Sequence, residues 1–476
     1  VTAHRFTDEG QQLFASLSGD SNPLHIDPVA ARRTLFGETV VHGINGVLWA
    51  LDACLGKRTG RWRLQRLKAT FDHPIGVGST VTAEVTEADE TRIRLFTGNN
   101  PVQQIICEMV PGGEDEEGLS IADEKPSPAP CAAPSLSETA SASGTVSLGF
   151  ERQIAEQLFP AVCGALPAWQ IAILLATTRI VGMKCPGLHS IFHSVSLDFD
   201  SPGSAAAVLA YKTTRADERF SRIDVEVTGP GVTGMLVTFY RPPPVVQPAL
   251  SEIQPAVPSG AFAGQRALVI GGSRGLGEVT AKALAAGGAA LRLTYHQGDE
   301  DALRVCGECH TVGADAKCFR YDVTAPADSL ESSLDDGFRP THLYYFATPR
   351  IHLRDHGENS DAPFPTFATA YVEGFRRTVE AAFKVSGGRL SAFYPSSVLI
   401  DDERSRNSEY AKAKLAGEEM CRNLEKEHPG LSILAPRLQK LRTDQTVGFG
   451  ADTAADPVSA MVGELTAFAE SIKEQA

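Results

Sequence analysis

The stretch Ala267-Leu268-Val269-Ile270-Gly271-Gly272-Ser273-Arg274-Gly275-Leu276-Gly277 decides the architecture of the C-terminal part of the chain. Its four leading apolar residues read as a buried strand. Val279–Ala286 then has the composition of a helix. Between them the glycines permit a tight turn and let the backbone come close to a pyrophosphate, which the N–H groups of a helix N-terminus can hold. A glycine-rich turn by itself is a weak signal. One that follows a strand and opens a helix is a much stronger one.

The same alternation continues outward. Leu291–Tyr295, Leu343–Phe346 and Leu390–Tyr394 read as further strands, so the block is expected to be α/β, a doubly wound parallel sheet. Tyr410 and Lys414 are four residues apart, on one face of a helix, and Ser397 lies 13 residues before the tyrosine. Tyr-x-x-x-Lys alone is an ordinary helix surface. Together with the turn and the serine, it resembles the short-chain dehydrogenase/reductase family over about residues 262–445. The resemblance implies that Tyr410 exchanges a proton with a carbonyl oxygen, that Lys414 lowers the tyrosine pKa and holds the nicotinamide ribose, and that Ser397 binds the substrate oxygen. It places Gly271, Ser273, Arg274, Gly275, Leu276, Gly277, Asp322, Tyr410 and Lys414 around the cofactor, Asp322 at the adenine. Tyr295-His296-Gln297 carries no acid at the ribose position, and Arg274 can pair with a ribose phosphate, so NADP(H) is favoured over NAD(H). Three positions depart from the family: Phe346-Ala347-Thr348-Pro349 after the fourth strand, Tyr371 in place of an asparagine, and Pro436-Arg437 in place of Pro-Gly.

Upstream, two shifts of composition divide the chain. Residues 113–144 are acidic and then rich in Pro, Ala and Ser, a flexible linker; residues 242–259 are a Pro-rich, extended connector. They leave blocks 1–112, 145–241 and 260–476. In the first block, apolar residues at 41, 44, 47, 48 and 51 have helical spacing, and alternating runs at 81–85, 93–95 and 105–107 read as strands. The second block repeats the order: a helix around 169–175, then strands around 195–199, 207–211, 223–227 and 235–239. Phe71-Asp72-His73-Pro74 is echoed by Phe199-Asp200-Ser201-Pro202, which points to a duplicated helix-on-sheet unit.

The first block also holds Ser18-Gly19-Asp20-Ser21-Asn22-Pro23-Leu24-His25. Asn-Pro favours a turn that can bring Asp20 and His25 to one space, where a carboxylate and an imidazole sharing a water can activate it. Spacing alone equally allows an Asx turn beside a surface histidine. With Asp27, Ala30, Phe36 and His42-Gly43, the run resembles the hydratase motif of (R)-specific enoyl-CoA hydratases, the MaoC-like branch of the hotdog fold, over about residues 6–110. The resemblance implies that Asp20 and His25 activate water, that Asn22 positions them, and that the backbone N–H of Gly43 holds the oxyanion. It implies an α+β double hotdog in which the second block, with His189 and His193 but no accompanying acid, is non-catalytic.

The composition fits an enzyme of this kind. The 476 residues carry a net charge of −14, which gives no electrostatic reason to hold nucleic acid or an anionic membrane. No apolar run is long enough for a membrane span, and the first residues hold no signal-peptide core. Nine cysteines, an odd number in a long chain, read as reduced thiols of a cytoplasmic protein. Cys306-x-x-Cys309-His310 lacks a second ligand pair and reads as an ordinary helix; no metal is expected. The resulting expectation is a bifunctional enzyme: NADPH-dependent reduction of a 3-ketoacyl thioester, then dehydration to the trans-2-enoyl thioester. CoA or acyl carrier protein would carry the acyl group, and the reductase block would form a homo-oligomer. Two alternatives stay open: hydration followed by oxidation, and a dehydratase whose reductase block is a docking scaffold.

Overall fold

In the computed structural model the chain divides into two compact units, the first ending at Pro243 and the second beginning at Pro244. The structure describes all residues except 1, 88–89, 113–118, 203–205, 326–327, 335–336, 350–362, 404–407, 447–453 and 476.

The first unit is built on one ten-stranded antiparallel sheet. Its first five strands are β1 (Thr2–Arg5), β2 (Trp62–Phe71), β3 (Thr80–Glu87), β4 (Thr91–Thr97) and β5 (Asn100–Pro111). The other five are β6 (Ser143–Ser147), β7 (Ser190–Phe199), β8 (Val208–Asp217), β9 (Arg222–Gly229) and β10 (Val232–Tyr240). The spatial order is β1-β3-β4-β5-β2-β7-β10-β9-β8-β6. Read from the two ends, each strand meets its counterpart five strands later in the chain. The two halves join where β2 pairs antiparallel with β7, from Arg66↔Asp198 to Thr70↔Ser194. The Phe-Asp-x-Pro echo falls at equivalent places, since Phe71 closes β2 and Phe199 closes β7.

A helix precedes each half's long strand: Gly43–Leu55 before β2, and Ala168–Met183 before β7. In the first, Ile44, Val47, Leu48 and Leu51 are wholly buried. The second is buried along almost its whole length, as expected of a helix apolar on every side. Residues from both helices and both halves of the sheet belong to one continuous core.

Two segments differ from the sequence expectation. Strand β2 has no clean alternation because a bulge between Leu64 and Arg66 shifts the register, so Leu64, Leu67 and Ala69 all face the core. The expected flexible linker has its residues 113–118 outside the described set, but from Leu119 onward it is tied to the unit. Leu119 and Ile121 pack on the core, Ala122 bridges to Gly149, and the Ala132 N–H donates to the Met183 carbonyl. Apolar side chains and paired backbone groups hold a segment whose composition reads as linker.

The second unit has a six-stranded parallel sheet: β11 (Arg266–Ile270), β12 (Ala290–Tyr295), β13 (Ala316–Arg320), β14 (His342–Tyr345), β15 (Leu390–Phe393) and β17 (Leu431–Leu434), with the short pair β16 (Ser396–Ser397) and β18 (Arg437–Leu438) beside it. The order is β13-β12-β11-β14-β15-β17. Ala267 and Val269 of β11 face one core, and Leu268 and Ile270 face another, so the sheet is covered on both sides. The expected connector 242–259 is extended only at its start. Leu250–Ile253 is a helical turn, and Leu250, Ile253 and Val257 are buried in this unit's core. The Leu250 N–H donates to Glu308 at 2.8 Å, and the buried Lys282 donates to the Pro248 carbonyl at 2.9 Å.

Candidate active sites

In the first unit, the helix Asp8–Ser18 stops at Gly19, whose φ of 72° puts it in the left-handed region. A side chain there would lie 2.8 Å from Pro126, so both backbone and space call for glycine. The turn that follows buries Asp20. Its carboxylate accepts from the Asn22 N–H at 3.2 Å and from the Thr178 hydroxyl at 2.7 Å. Asn22 is buried too. Its Oδ1 caps the short helix Pro23–Ile26 through the Leu24 N–H at 3.1 Å. Its Nδ2 donates to the carbonyls of Gly182 at 3.1 Å and Gly187 at 3.2 Å.

His25 lies on that short helix, with Nδ1 2.7 Å from the Val40 carbonyl. A carbonyl only accepts, so Nδ1 carries the proton and Nε2 keeps its lone pair. The His25 ring stacks on His42, centroids 3.8 Å apart. His42 Nε2 lies 3.0 Å from the Asp20 carbonyl and donates to it, leaving Nδ1 to accept from Gln11 at 3.3 Å. One polar atom from each of Asp20, His25 and His42 lies within 4.8 Å of the other two. His42 has no lone pair left for a metal ion. Burial pushes the Asp20 carboxyl up, opposed by the charge of His25 and the Thr178 bond. Burial also lowers His25, opposed by Asp20, and lowers His42 well below the usual imidazole range. Both rings are therefore neutral at pH 7, and His25 presents a basic nitrogen.

Gly43 opens the central helix, where the first N–H groups have no partner in the helix. A side chain on Gly43 would meet the Phe71 ring at 2.9 Å, and Phe71 packs on Phe192 of β7 at 5.1 Å. A neutral imidazole, a carboxylate and free helix N–H groups form a set able to move a proton and hold an oxyanion.

Several members of this site were not read from the sequence. Thr178, Arg179 and Gly182 come from the second central helix. Arg179 Nε donates to the Ser18 carbonyl at 2.8 Å, and a Cβ on Gly182 would lie 2.2 Å from Asp20 Oδ1. The available signal was the presence of Thr177-Thr178-Arg179 inside an otherwise apolar helix. His42 was read only as part of a motif. His189 packs tilted against Tyr240 and His193 edge-on against Phe239, ring centroids 5.5 Å apart in each pair.

In the second unit, Tyr410 and Lys414 lie on the helix Glu409–Glu427, and Ser397 is close enough to Tyr410 for its hydroxyl to act on the phenol. Lys414 Nζ donates to the Pro395 carbonyl at 2.8 Å and lies 5.8 Å from the Tyr410 ring. The three residues are thus brought together. Tyr371 fills the place beside them. Its ring lies 3.8 Å from Lys414 Nζ, and its hydroxyl bonds to Thr348. Burial pulls Lys414 down to about 7 and pushes Tyr410 up to about 12, with Ser397 opposing the latter. Arg437 bonds Glu418 and Asp401, and Ser396 donates to Glu418, which ties the segment around Ser397 to the Tyr410 helix.

The glycine-rich turn fits a dinucleotide pyrophosphate. A Cβ on Gly277 would lie 2.1 Å from the Gly271 carbonyl oxygen, and one on Gly271 2.9 Å from the Phe346 backbone. Gly275 begins the helix Gly275–Ala286, flanked by Ser273, Arg274 and Leu276. Asp322 accepts from the Thr324 N–H at 2.9 Å, and His296 Nδ1 lies 3.8 Å from it. Arg274 forms an ion pair with Asp444, which a ribose phosphate would have to displace. Cys306 and Cys309 are buried free thiols, pushed upward by burial, and His310 Nε2 is 2.7 Å from the Ala316 carbonyl.

Comparison with known proteins divides the chain in the same way. Residues 3–104 match the family model described as MaoC like domain, and residues 265–335 match the one described as short chain dehydrogenase. The chain therefore carries a MaoC-like domain at its N-terminal end and a short-chain dehydrogenase domain in its second unit. The triad Ser397, Tyr410 and Lys414 lies beyond the second match. An (R)-specific enoyl-CoA hydratase of Aeromonas caviae is 41% identical over 84 residues, 17% of this chain and 61% of that protein. One from Rhodospirillum rubrum is 38% identical over 78 residues, 16% of this chain and 52% of that protein. The chain thus spans between half and two thirds of the length of these relatives. Among solved structures, a dehydrogenase/reductase from Sinorhizobium meliloti 1021 is 22% identical, with 46% of this chain and 91% of that one covered and a TM-score of 0.39. The oxidoreductase yciK from E. coli is 19% identical, with 44% and 92% covered and a TM-score of 0.41.

Proposed function

We propose that the chain is a bifunctional enzyme of acyl thioesters, a double hotdog hydratase/dehydratase fused to a 3-ketoacyl reductase. The observation that carries this reading is the tautomer of His25. Val40 fixes its Nδ1–H, so Nε2 is left as the base, on a ring that has a polar atom within 4.8 Å of an Asp20 oxygen and that stacks on His42, the residue just before Gly43. In hydration, a water hydrogen-bonded to Asp20 and His25 gives one proton to the pair as its oxygen bonds to the β-carbon, and keeps the other as the new hydroxyl. The Gly43 N–H receives the charge that grows on the thioester oxygen, and the α-carbon then takes a proton from the pair. Dehydration is the reverse. Asn22 holds the loop through its side-chain bonds to Leu24 and to the carbonyls of Gly182, Gly187 and Leu188.

In the second unit, Tyr410 gives its proton to the substrate carbonyl, Ser397 holds that oxygen, and Lys414 supports both the tyrosine and the ribose. A bound nicotinamide supplies the hydride. The glycine turn and Asp322 would hold the dinucleotide, and Arg274 with no acid at the ribose position favours NADP(H). That preference sets the direction as reduction, then dehydration, as in biosynthesis of fatty acids or polyketides. CoA or acyl carrier protein carries the acyl group, the protein works in the cytoplasm, and the reductase unit forms a homo-oligomer. Incubation with 3-ketoacyl thioesters and NADPH, with products read by mass, should give 3-hydroxyacyl and then enoyl species. Neither product from any thioester would end the proposal.

A second reading is favoured by Tyr371 and Arg274. With Tyr371 packed on Lys414 and Arg274 engaged by Asp444, the second unit is a docking scaffold and only the first is an enzyme. Absence of NADPH and NADH binding, measured by nucleotide fluorescence, would select it.

A further inference from the structure

Arg241 follows β10, in the half of the first unit that has no acid/base loop of its own. It is 3% exposed, and its Nε and Nη1 have no hydrogen-bond partner. An unmatched buried cation is costly to keep, so its place matters. Its N–H donates to the His189 carbonyl at 2.8 Å, and its Nη2 donates to the Leu188 carbonyl. The Leu188 carbonyl also faces Asn22 Nδ2 at 3.5 Å, next to the Gly187 carbonyl that Nδ2 donates to at 3.2 Å. Arg241 thus braces, from behind, the turn that grips the Asp20–His25 loop.

We infer that Arg241 is a positioning residue for this pair: it holds the 187–189 turn against Asn22, and its buried positive charge acts on the His25 imidazole. The inference rests on the hydratase reading of the loop. The groups that act on His25 are Asp20 on its loop, His42 ahead of the central helix, and Arg241, while Arg179 on the second central helix acts on Asp20. Around Arg241 stand Cys131, His189 and Tyr240 as well. Asp20 favours imidazolium and Arg241 disfavours it. Arg241 itself is pulled down to about 10 by burial and stays charged at pH 7. Burial is the main cause that keeps His25 neutral, and the Arg241 charge acts in the same direction against Asp20 and the Val40 hydrogen bond.

The test titrates His25 in the full-length protein by NMR of labelled imidazoles, assigned with H25A, and follows hydration of crotonyl-CoA over the same pH range. The wild-type midpoint should lie below the ordinary 6.5. Arg241→Met should raise it by roughly half a pH unit or more, move the acid limb of kcat/KM with it, and lower kcat with little change in KM. Arg241→Lys should restore the midpoint. A folded R241M whose His25 midpoint does not move would overturn the inference. Should R241M not fold, a wild-type midpoint at or above 6.5, or an R241K midpoint unlike the wild type's, would do so. Loss of hydration in the wild type would sink the hydratase reading instead, because the NMR titration needs no turnover.

Discussion

Asp20 and His25 act together only because each is denied other work. Asp20 is buried with two donors on its carboxylate, and His25 has one nitrogen committed to Val40 and one left over. Asp20→Asn removes the charge but keeps the shape, and His25→Ala removes the base. Each should cut hydration of crotonyl-CoA by about 10²–10⁴-fold with an unchanged melting temperature and unchanged ketoreduction. Activity within a few-fold of wild type in either variant would refute the assignment. In the second unit, Tyr410→Phe should stop ketoreduction while leaving nucleotide affinity nearly unchanged, since it deletes only the hydroxyl. Lys414 is pulled down to about 7 by burial, so its ammonium form prevails below that pH and is lost above it. If that ammonium holds the ribose, nucleotide Kd should rise as pH passes through about 7, and Lys414→Ala should flatten the dependence. A wild-type Kd independent of pH would deny Lys414 that role.

At the scale of elements, the second central helix does for the first half what its own half does not need. Gly182 leaves room for the Asp20 carboxylate, and Thr178 donates to it. Gly182→Ala places a methyl group 2.2 Å from Asp20 Oδ1, so the carboxylate must move. Thr178→Val removes a hydrogen bond to a charged group, of roughly 1.5–3 kcal/mol. Both should lower hydration at least about tenfold while far-ultraviolet circular dichroism stays unchanged; full activity in both would mean that Asp20 needs no such support. These contacts mark the limit of what was legible in the sequence. The Asp20–His25 run, the glycine turn and the Tyr-x-x-x-Lys pair are local patterns, and they pointed to the residues that the structure gathers. Thr178 and Gly182 lie about 160 positions from Asp20, and nothing local announces a contact over that span. Strand β2 is not legible because its bulge breaks the two-residue period, nor is β13, where Lys317 and Arg320 interrupt the apolar residues. The composition of the segment after Leu119 is that of a linker, and composition carries no record of the backbone bonds that hold it.

The whole molecule is a chain of two units, each closed around apolar cores of its own. The core of the first unit draws on residues up to Leu236, and the two cores of the second begin at Leu250 and Leu268. The sheet of the first unit ends with β10 at Tyr240, and Arg241 still belongs to it through His189 and Leu188. The second unit starts to build when Pro248 and Leu250 meet Lys282 and Glu308. A cut after Pro243 therefore removes no core residue from the first unit and keeps Arg241, whereas a cut before Arg241 would take the brace away from the 187–189 turn. A protein of residues 1–243 should be soluble, unfold in a single cooperative transition, and hydrate crotonyl-CoA with the kcat of the full chain. Residues 1–240 should fold less stably and be slower. If 1–243 aggregates under all conditions, the unit boundary is wrong. If it folds yet is inert while the full chain is active, the hydratase site needs the second unit, and a self-contained Asp20–His25 centre has to be abandoned.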